Sequence, residues 1–540
     1  MGRTIALLFV VALGAALRVF PYALTGVPYD TDSYPLLRNT VQIGRNTPVH
    51  LEGGGLFDNY NIYWFATSLY GVVVSRVTGI GMVEASCIYT PLASALGSLI
   101  LYPIVYRVTG RHLPSLLAAL LFSLSGLHSI KTAGVIKEAY ACPLYLSALL
   151  SYTLDVDVGR KALLFMVLAS STVTAHHLTT LVLLSIAAMF GVVWNIDRLG
   201  RGLQADRSLI ILVLAAMAVA SLHLRYAWRG FRFPVDFETV SSLLAYQFLM
   251  LIASLYSLTP KKDGGRLRGI SIGLVLSTGI TVIMLWMISW RKIFPFVPVI
   301  PFKDQVVFAP YILLWLFAMY GFQRSRHVVG RDGNTLVMCW VAAVLGLEGF
   351  ALFSARMASL FYRLLNFLYV PVSIYVAIAL RDLRYRLRGR PAVFKLVLTV
   401  MLCLAMLSPS PFFVSVLERK PFLGGHGVYS REDLAFASLV GGALHANESV
   451  AGDQRMNYLL MYVGMSASSM DGYNYLSRIT GRLSSSHLII YREMLEGRYE
   501  LVRYWMDVDT ARMLGVCRDP SLNRVYDNYE DMFYRCTPAG

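Results

Sequence analysis

Apolar runs of 18 or more residues recur through the first three quarters of the chain, and few folds can absorb them. As helices, such runs cross ~30 Å of hydrocarbon. Lipid offers the backbone no hydrogen bonds, so spanning segments must pair their own N–H and C=O groups. The prediction is a polytopic α-helical membrane protein. Composition agrees, since only 15% of the 540 residues are charged, against about 25% in soluble domains.

Thirteen spans are predicted, at 4–24, 86–106, 113–130, 139–154, 162–175, 178–195, 208–225, 240–258, 270–290, 305–322, 335–353, 363–380 and 393–415. With the N-terminus inside, the cytoplasmic segments hold 20 Lys and Arg, among them Arg111, Arg324, Arg381, Arg384, Arg386 and Arg388, and the outer loops hold 11. That bias is the positive-inside pattern. It explains the net charge of +16 without nucleic acid as a partner. The expected location is the cell membrane, with an extracytoplasmic C-terminal domain. Residues 61–80 are read as an interfacial or re-entrant helix anchored by Tyr60, Tyr63, Trp64 and Tyr70. The apolar stretch 162–195 is too long for one crossing, and His176-His177 marks the break. The first segment shows no clear small-x-small cleavage site and is read as an uncleaved anchor.

Cys87, Cys142, Cys339 and Cys403 fall in apolar segments and are expected to pack; Cys517 and Cys536 fall where a disulfide is permitted. Hydropathy drops from about Leu417. Residues 1–416 are therefore assigned to a transmembrane domain and 417–540 to a small α/β domain. In the latter, Ser430-Arg431-Glu432-Asp433 reads as a capping box, Ser449–Asp453 as a strand and turn, and 524–535 as a hairpin; Asn447-Glu448-Ser449 is a glycosylation pattern.

The outward-facing groups gather one kind of chemistry. The first loop carries Asp30, Asp32 and Arg38, the second Lys137 and Glu138, the hinge His176 and His177, and a late segment Arg356 and Arg363. Arginines suit a phosphate or pyrophosphate. Carboxylates suit proton transfer or a divalent cation. An outer arginine also serves as an interfacial anchor, and paired histidines as packed polar residues. Glu348, near a helix end, is a candidate partner for Arg356.

Asp32-Ser33-Tyr34-Pro35-Leu36-Leu37-Arg38 resembles the first outer-loop motif of oligosaccharyltransferase catalytic subunits. Lys131–Glu138 resembles their second acidic motif, and Arg363–Pro371 their late arginine segment. Ile62-Tyr63-Trp64, Ser94–Leu99 and Ala118–Ser123 follow in the family's order. The resemblance covers most of residues 1–416 and implies a GT-C-like fold with transfer of a sugar or oligosaccharide from a polyprenyl-linked donor to a protein, glycan or lipid acceptor outside. It implies Asp32, Asp30 and Glu138 as catalytic, with Asp32 and Glu138 holding Mn²⁺ or Mg²⁺ if a metal is used. Arg363, Arg356, Lys137, His176, His177 and Arg38 would bind substrate. The chain departs from the family where Lys137 replaces one acidic ligand, and where Met470-Asp471-Gly472-Tyr473 stands in place of a Trp-Trp-Asp-Tyr-Gly motif. The expectation is therefore a GT-C glycosyltransferase rather than an N-linking one. A lipid or polysaccharide transporter and a non-catalytic homologue are the alternatives.

Overall fold

The computed structural model describes residues 2–46, 60–228, 236–258, 306–354, 357, 360–417, 429–445, 448–477, 479–480, 482–495, 498–501, 504–508, 516, 522–527 and 531–536. Among these, nine helices are long and apolar enough to cross a membrane. Their outer faces carry exposed Leu8, Phe9, Leu163, Ile211, Leu214, Phe248 and Leu396, surface that suits lipid and not water. The protein is a polytopic α-helical membrane protein.

The helices follow the apolar runs. Gly2–Thr25, Met82–Thr109, Val158–Ala175, His177–Gly200, Arg207–Ala227, Phe237–Leu258 and Phe361–Arg386 each cover a predicted span. The spans at 305–322 and 335–353 fall in one long helix, Ala309–Phe353, interrupted at Gly330 by φ 75° and ψ −179°. That left-handed backbone suits glycine, which has no Cβ to clash. Two predicted spans are shorter helices: His112–Leu124 followed by Gly126–Ile130, and Lys137–Thr153. Ala66–Thr78 has 13 residues, about 20 Å at 1.5 Å per residue and short of the ~30 Å core. The predicted span at 270–290, Arg356, Asn447 and the Cys517–Cys536 pairing lie outside the described residues. Cys87, Cys142 and Cys339 are buried as expected, whereas Cys403 is exposed, on the outer side of its helix.

The chain divides into two compact units. The first comprises Met1–Val19, Pro91–Thr132 and Lys137–Val414. Its core joins Phe122, Tyr145, Phe165, Trp340, Phe367 and Tyr375 with many Leu, Val and Ile residues. Gly321 lets Ala309–Phe353 approach Phe361–Arg386 closely, since a Cβ there would strike the Tyr375 carbonyl.

The second unit comprises Phe20–Thr90, Ala133–Ile136 and Ser415–Gly540. It holds a mixed five-stranded sheet in the order β2-β1-β3-β7-β6, with β1 Val450–Ala451, β2 Ala467–Ser468, β3 His487–Tyr491, β6 Leu522–Asp527 and β7 Asp531–Cys536. β4 Arg498–Leu501 and β5 Tyr504–Asp507 form a separate hairpin. The expected capping box is present, with Ser430 and Asp433 satisfying each other's backbone N–H, and the expected hairpin is β6–β7. This unit also takes in the first loop. Tyr34, fully buried, makes edge contacts with Tyr429 and Tyr462 at 4.7 and 5.6 Å. Burial, before any neighbouring charge, holds the Tyr34 hydroxyl neutral, well above its usual pKa.

Candidate functional site

In the first unit, three helix starts bring the predicted residues together. Glu138 lies in the first turn of Lys137–Thr153, where the helix N-terminus favours a carboxylate. Arg363 lies in the first turn of Phe361–Arg386. His176, extended at φ −161° and ψ 123°, separates Val158–Ala175 from His177–Gly200, as the sequence predicts.

Arg363 Nη1 donates to Glu138 Oε1 at 2.8 Å, and His176 Nε2 stands 3.6 Å from the same oxygen. His176 Nδ1 accepts from the Thr179 N–H and so caps the helix that follows. With Nδ1 accepting, the ring proton belongs on Nε2, facing the carboxylate. The His177 ring packs 4.8 Å from that of His176. Lys137, Arg363 and Glu138 all act on His177 electrostatically. Lys137, Glu138, His176 and Arg363 are buried. This is one polar cluster in a low-dielectric setting, where losing either partner of an ion pair costs about 3–5 kcal/mol.

Two residues that sequence reasoning left without a role, Arg18 and His128, form a second buried polar network in this unit. Arg18, fully buried, donates to the Gly14 and Ser123 carbonyls and to Thr132 Oγ1. Thr132 in turn donates to the His128 carbonyl at 2.7 Å. His128 Nδ1 pairs with Asn366, three residues beyond Arg363. An arginine inside an apolar run was the available signal for Arg18; nothing in the sequence linked His128 to Asn366.

The second unit holds Asp30, Asp32 and Arg38. Asp30 has φ 70°, the one positive φ outside glycine among the described residues, and its Oδ1 accepts the Asp32 N–H at 2.9 Å. This is the Asx-turn such a residue favours. Ser33 Oγ donates to the Tyr29 carbonyl and accepts the Val135 N–H at 2.9 Å. Gly134 is required there, since a Cβ would strike the Tyr29 carbonyl and lie 2.8 Å from Ser33 Oγ. Asp32 precedes helix Ser33–Arg45 without its carboxylate capping that helix. Asp32 and Arg38 are half-buried.

Of the predicted metal ligands, Glu138 belongs to the first unit and Asp32 to the second. No cluster of three or more His, Cys, Asp or Glu fit to hold a metal occurs among the described residues. Glu138 already shares an oxygen with a guanidinium, which repels a cation. The paired Glu138 cluster of the first unit therefore does not by itself fit a divalent site. Asp471, in the segment that stands for the missing acceptor motif, is committed to structure: it accepts from the Ser484 and Ser485 N–H groups and the Ser485 hydroxyl.

No family model and no curated protein matches the sequence. Among solved structures, the chain is similar to the archaeal oligosaccharyltransferase AglB from Archaeoglobus fulgidus in complex with an inhibitory peptide and a dolichol-phosphate. Identity is 12%, coverage 92% of this chain and 70% of that one, and TM-score 0.58. The Archaeoglobus fulgidus oligosaccharyltransferase in complex with Zn and sulfate gives 13%, 91%, 68% and 0.57. The same enzyme tethered to an acceptor peptide containing the NVT sequon gives 11%, 91%, 69% and 0.56. At such identities the likeness is one of fold, and the chain has the oligosaccharyltransferase-like, GT-C-type fold that its sequence motifs resemble.

Proposed function

We propose that the protein is an integral-membrane glycosyltransferase that moves a sugar or oligosaccharide from a polyprenyl-(pyro)phosphate donor to an acceptor on the outer face. The observation that carries this reading is the buried Arg363–Glu138 pair with His176, on a fold shared with AglB over 92% of the chain. The AglB structure holds a dolichol-phosphate, and a guanidinium at a helix start is the natural partner of such a phosphate.

In the proposed chemistry Arg363 binds the donor phosphate, and Glu138 holds the guanidinium in place until the phosphate competes for it. Lys137, His176 and His177 add positive charge or hydrogen-bond donors for the leaving phosphate. Asp32 is the catalytic carboxylate, accepting the proton of the acceptor nucleophile, and Asp30 fixes its backbone. Arg38 and Arg356 complete the substrate-binding set. In this reading the C-terminal domain lies outside the cell and the N-terminus inside, as the charge bias supports. Mn²⁺ or Mg²⁺, if bound, needs ligands beyond the described cluster.

The test is sugar transfer by the purified full chain, supplied with radiolabelled polyprenyl-phosphate and polyprenyl-pyrophosphate sugars and a mixture of peptide, glycan and lipid acceptors. Labelled product from wild type and none from Asp32→Asn supports the reading. Donor binding without turnover by the wild type under any donor and acceptor overturns it in favour of a non-catalytic role.

A further inference from the structure

A cavity of about 1040 Å³ lies in the first unit, at the end that the charge bias assigns to the cytoplasm. Six arginines line it, brought from three separate places: Arg111 ahead of helix His112–Leu124, Arg324 in Ala309–Phe353, and Arg381, Arg384, Arg386 and Arg388 around the end of Phe361–Arg386. One carboxylate, Asp382, stands among them. The proposed transfer chemistry makes no use of any of these residues.

Asp382 cannot balance that charge. Its Oδ2 accepts from the Tyr320 hydroxyl, from Arg324 Nε at 3.3 Å and from Arg386 Nε at 2.7 Å. It is buried and occupied by two of the six guanidiniums. Arg111, Arg381, Arg384 and Arg388 have no acidic partner among the described residues. Topology alone asks only for arginines on this side, one loop at a time. It does not ask for arginines from separate helices to converge on one half-open cavity, where like charges repel. The first turn of His112–Leu124, represented by Leu113 and Pro114, also faces the cavity. No side chain caps that helix, so its N-terminal partial charge adds to the field.

We propose that this cavity is a binding site for a phosphate-bearing anion, with Arg111, Arg381, Arg384 and Arg388 as its ligands and Asp382 holding Arg324 and Arg386 as the wall. Arginine forks match phosphate oxygens in pairs, and a basic pocket between spans on the cytoplasmic side suits an anionic headgroup. The phosphate belongs either to an inner-leaflet lipid or to a small soluble phosphate.

Two arms distinguish these sources, both on the full chain in detergent. In the first, native mass spectrometry follows lipids retained from an equal mixture of phosphatidylglycerol and phosphatidylcholine. In the second, calorimetry follows titration with inorganic pyrophosphate. Retention of phosphatidylglycerol over phosphatidylcholine identifies a lipid headgroup, and saturable one-to-one pyrophosphate binding identifies a soluble ligand. In whichever arm binds, Arg384→Gln with Arg388→Gln is expected to weaken binding by about tenfold or more, while Arg160→Gln with Lys161→Gln leaves it unchanged. Arg388→Gln alone, at an exposed position beyond the helix end, gives a partial loss at unchanged Tm and guards against misfolding of the double variant. No lipid preference together with no saturable pyrophosphate binding overturns the proposal. So does equal binding by wild type and the double variant, or equal loss in the Arg160 and Lys161 control.

Discussion

Arg363 and Glu138 are 225 positions apart in the chain and share one hydrogen bond, so each sets the state of the other. Arg363→Ala removes the phosphate ligand and leaves Glu138 buried without its guanidinium. The expected result is donor affinity lower by about tenfold to a hundredfold, the worth of a charge-assisted hydrogen bond, read by equilibrium binding of labelled donor. Glu138→Gln keeps the shape and frees the guanidinium, so donor affinity should hold or rise; equal losses in both variants would assign the pair to stability alone. Asp32→Asn should lower turnover by about a hundredfold or more with donor affinity retained, the scale of a positioned acid–base group. Lys137 decides the metal question. If it stands in for a cation, the wild type keeps activity after exhaustive chelation, and Lys137→Asp loses it and recovers on Mn²⁺ or Mg²⁺ add-back. Equal and complete loss in both would show that Lys137 replaces no metal. Lys137, Glu138 and Arg363 could be named from motif order alone. Their pairing could not, because sequence spacing says nothing of which helix starts meet.

At the scale of elements, periodicity and chemistry marked the breaks well. His176 ends one helix and caps the next, and Gly330 interrupts a 45-residue helix between two crossing-length halves. Both sites were visible as polar or glycine-containing interruptions in apolar runs. The sheet was less legible. β1 and β2 have two residues each, too few for an alternating pattern, and their parallel pairing joins strands separated by a helix rather than by a tight turn. In β3, His487 lies flat against Phe533 of β7, 4.9 Å between ring centres. Its pKa is lowered by burial foremost, with Arg535 also lowering it and Glu448 opposing. The folded form thus prefers neutral His487, while the unfolded chain takes up a proton near the usual ~6.5. Stability from this residue is present above that pH and is lost as pH falls below it. Thermal unfolding of the full chain between pH 7.5 and pH 5, taken as rough limits around that value, should show a falling Tm, with a flatter dependence in His487→Gln. A parallel fall in both would remove His487 as the cause.

At the scale of the whole molecule, the charge bias makes a topological prediction. In a cysteine-free background, a cysteine at the exposed Glu432, near Tyr429, should react with an impermeant probe in intact cells, and one at the exposed Arg386 should not. The reverse pattern would invert the topology. The same bias also hid something: each arginine around the basic cavity was explained by its own loop, so the convergence of six of them was invisible until helix ends were placed in space.

The second unit has a consequence for how the protein is made. Tyr29 hydrogen-bonds Ser415, 386 positions later, at 3.2 Å, and Tyr34 rests on Tyr429 and Tyr462. The loop bearing Asp32 therefore emerges early from the ribosome and meets the last of its packing partners only when synthesis is nearly over. At about 5–20 residues per second, that wait lasts roughly 20–80 s. During it the chain can insert its helices and form the local turn at Asp30, but cannot bury Tyr34 against Tyr429 and Tyr462. Newly made protein should be membrane-integrated before it is active, so a ribosome stalled near residue 417 would display its spans and no competent first loop.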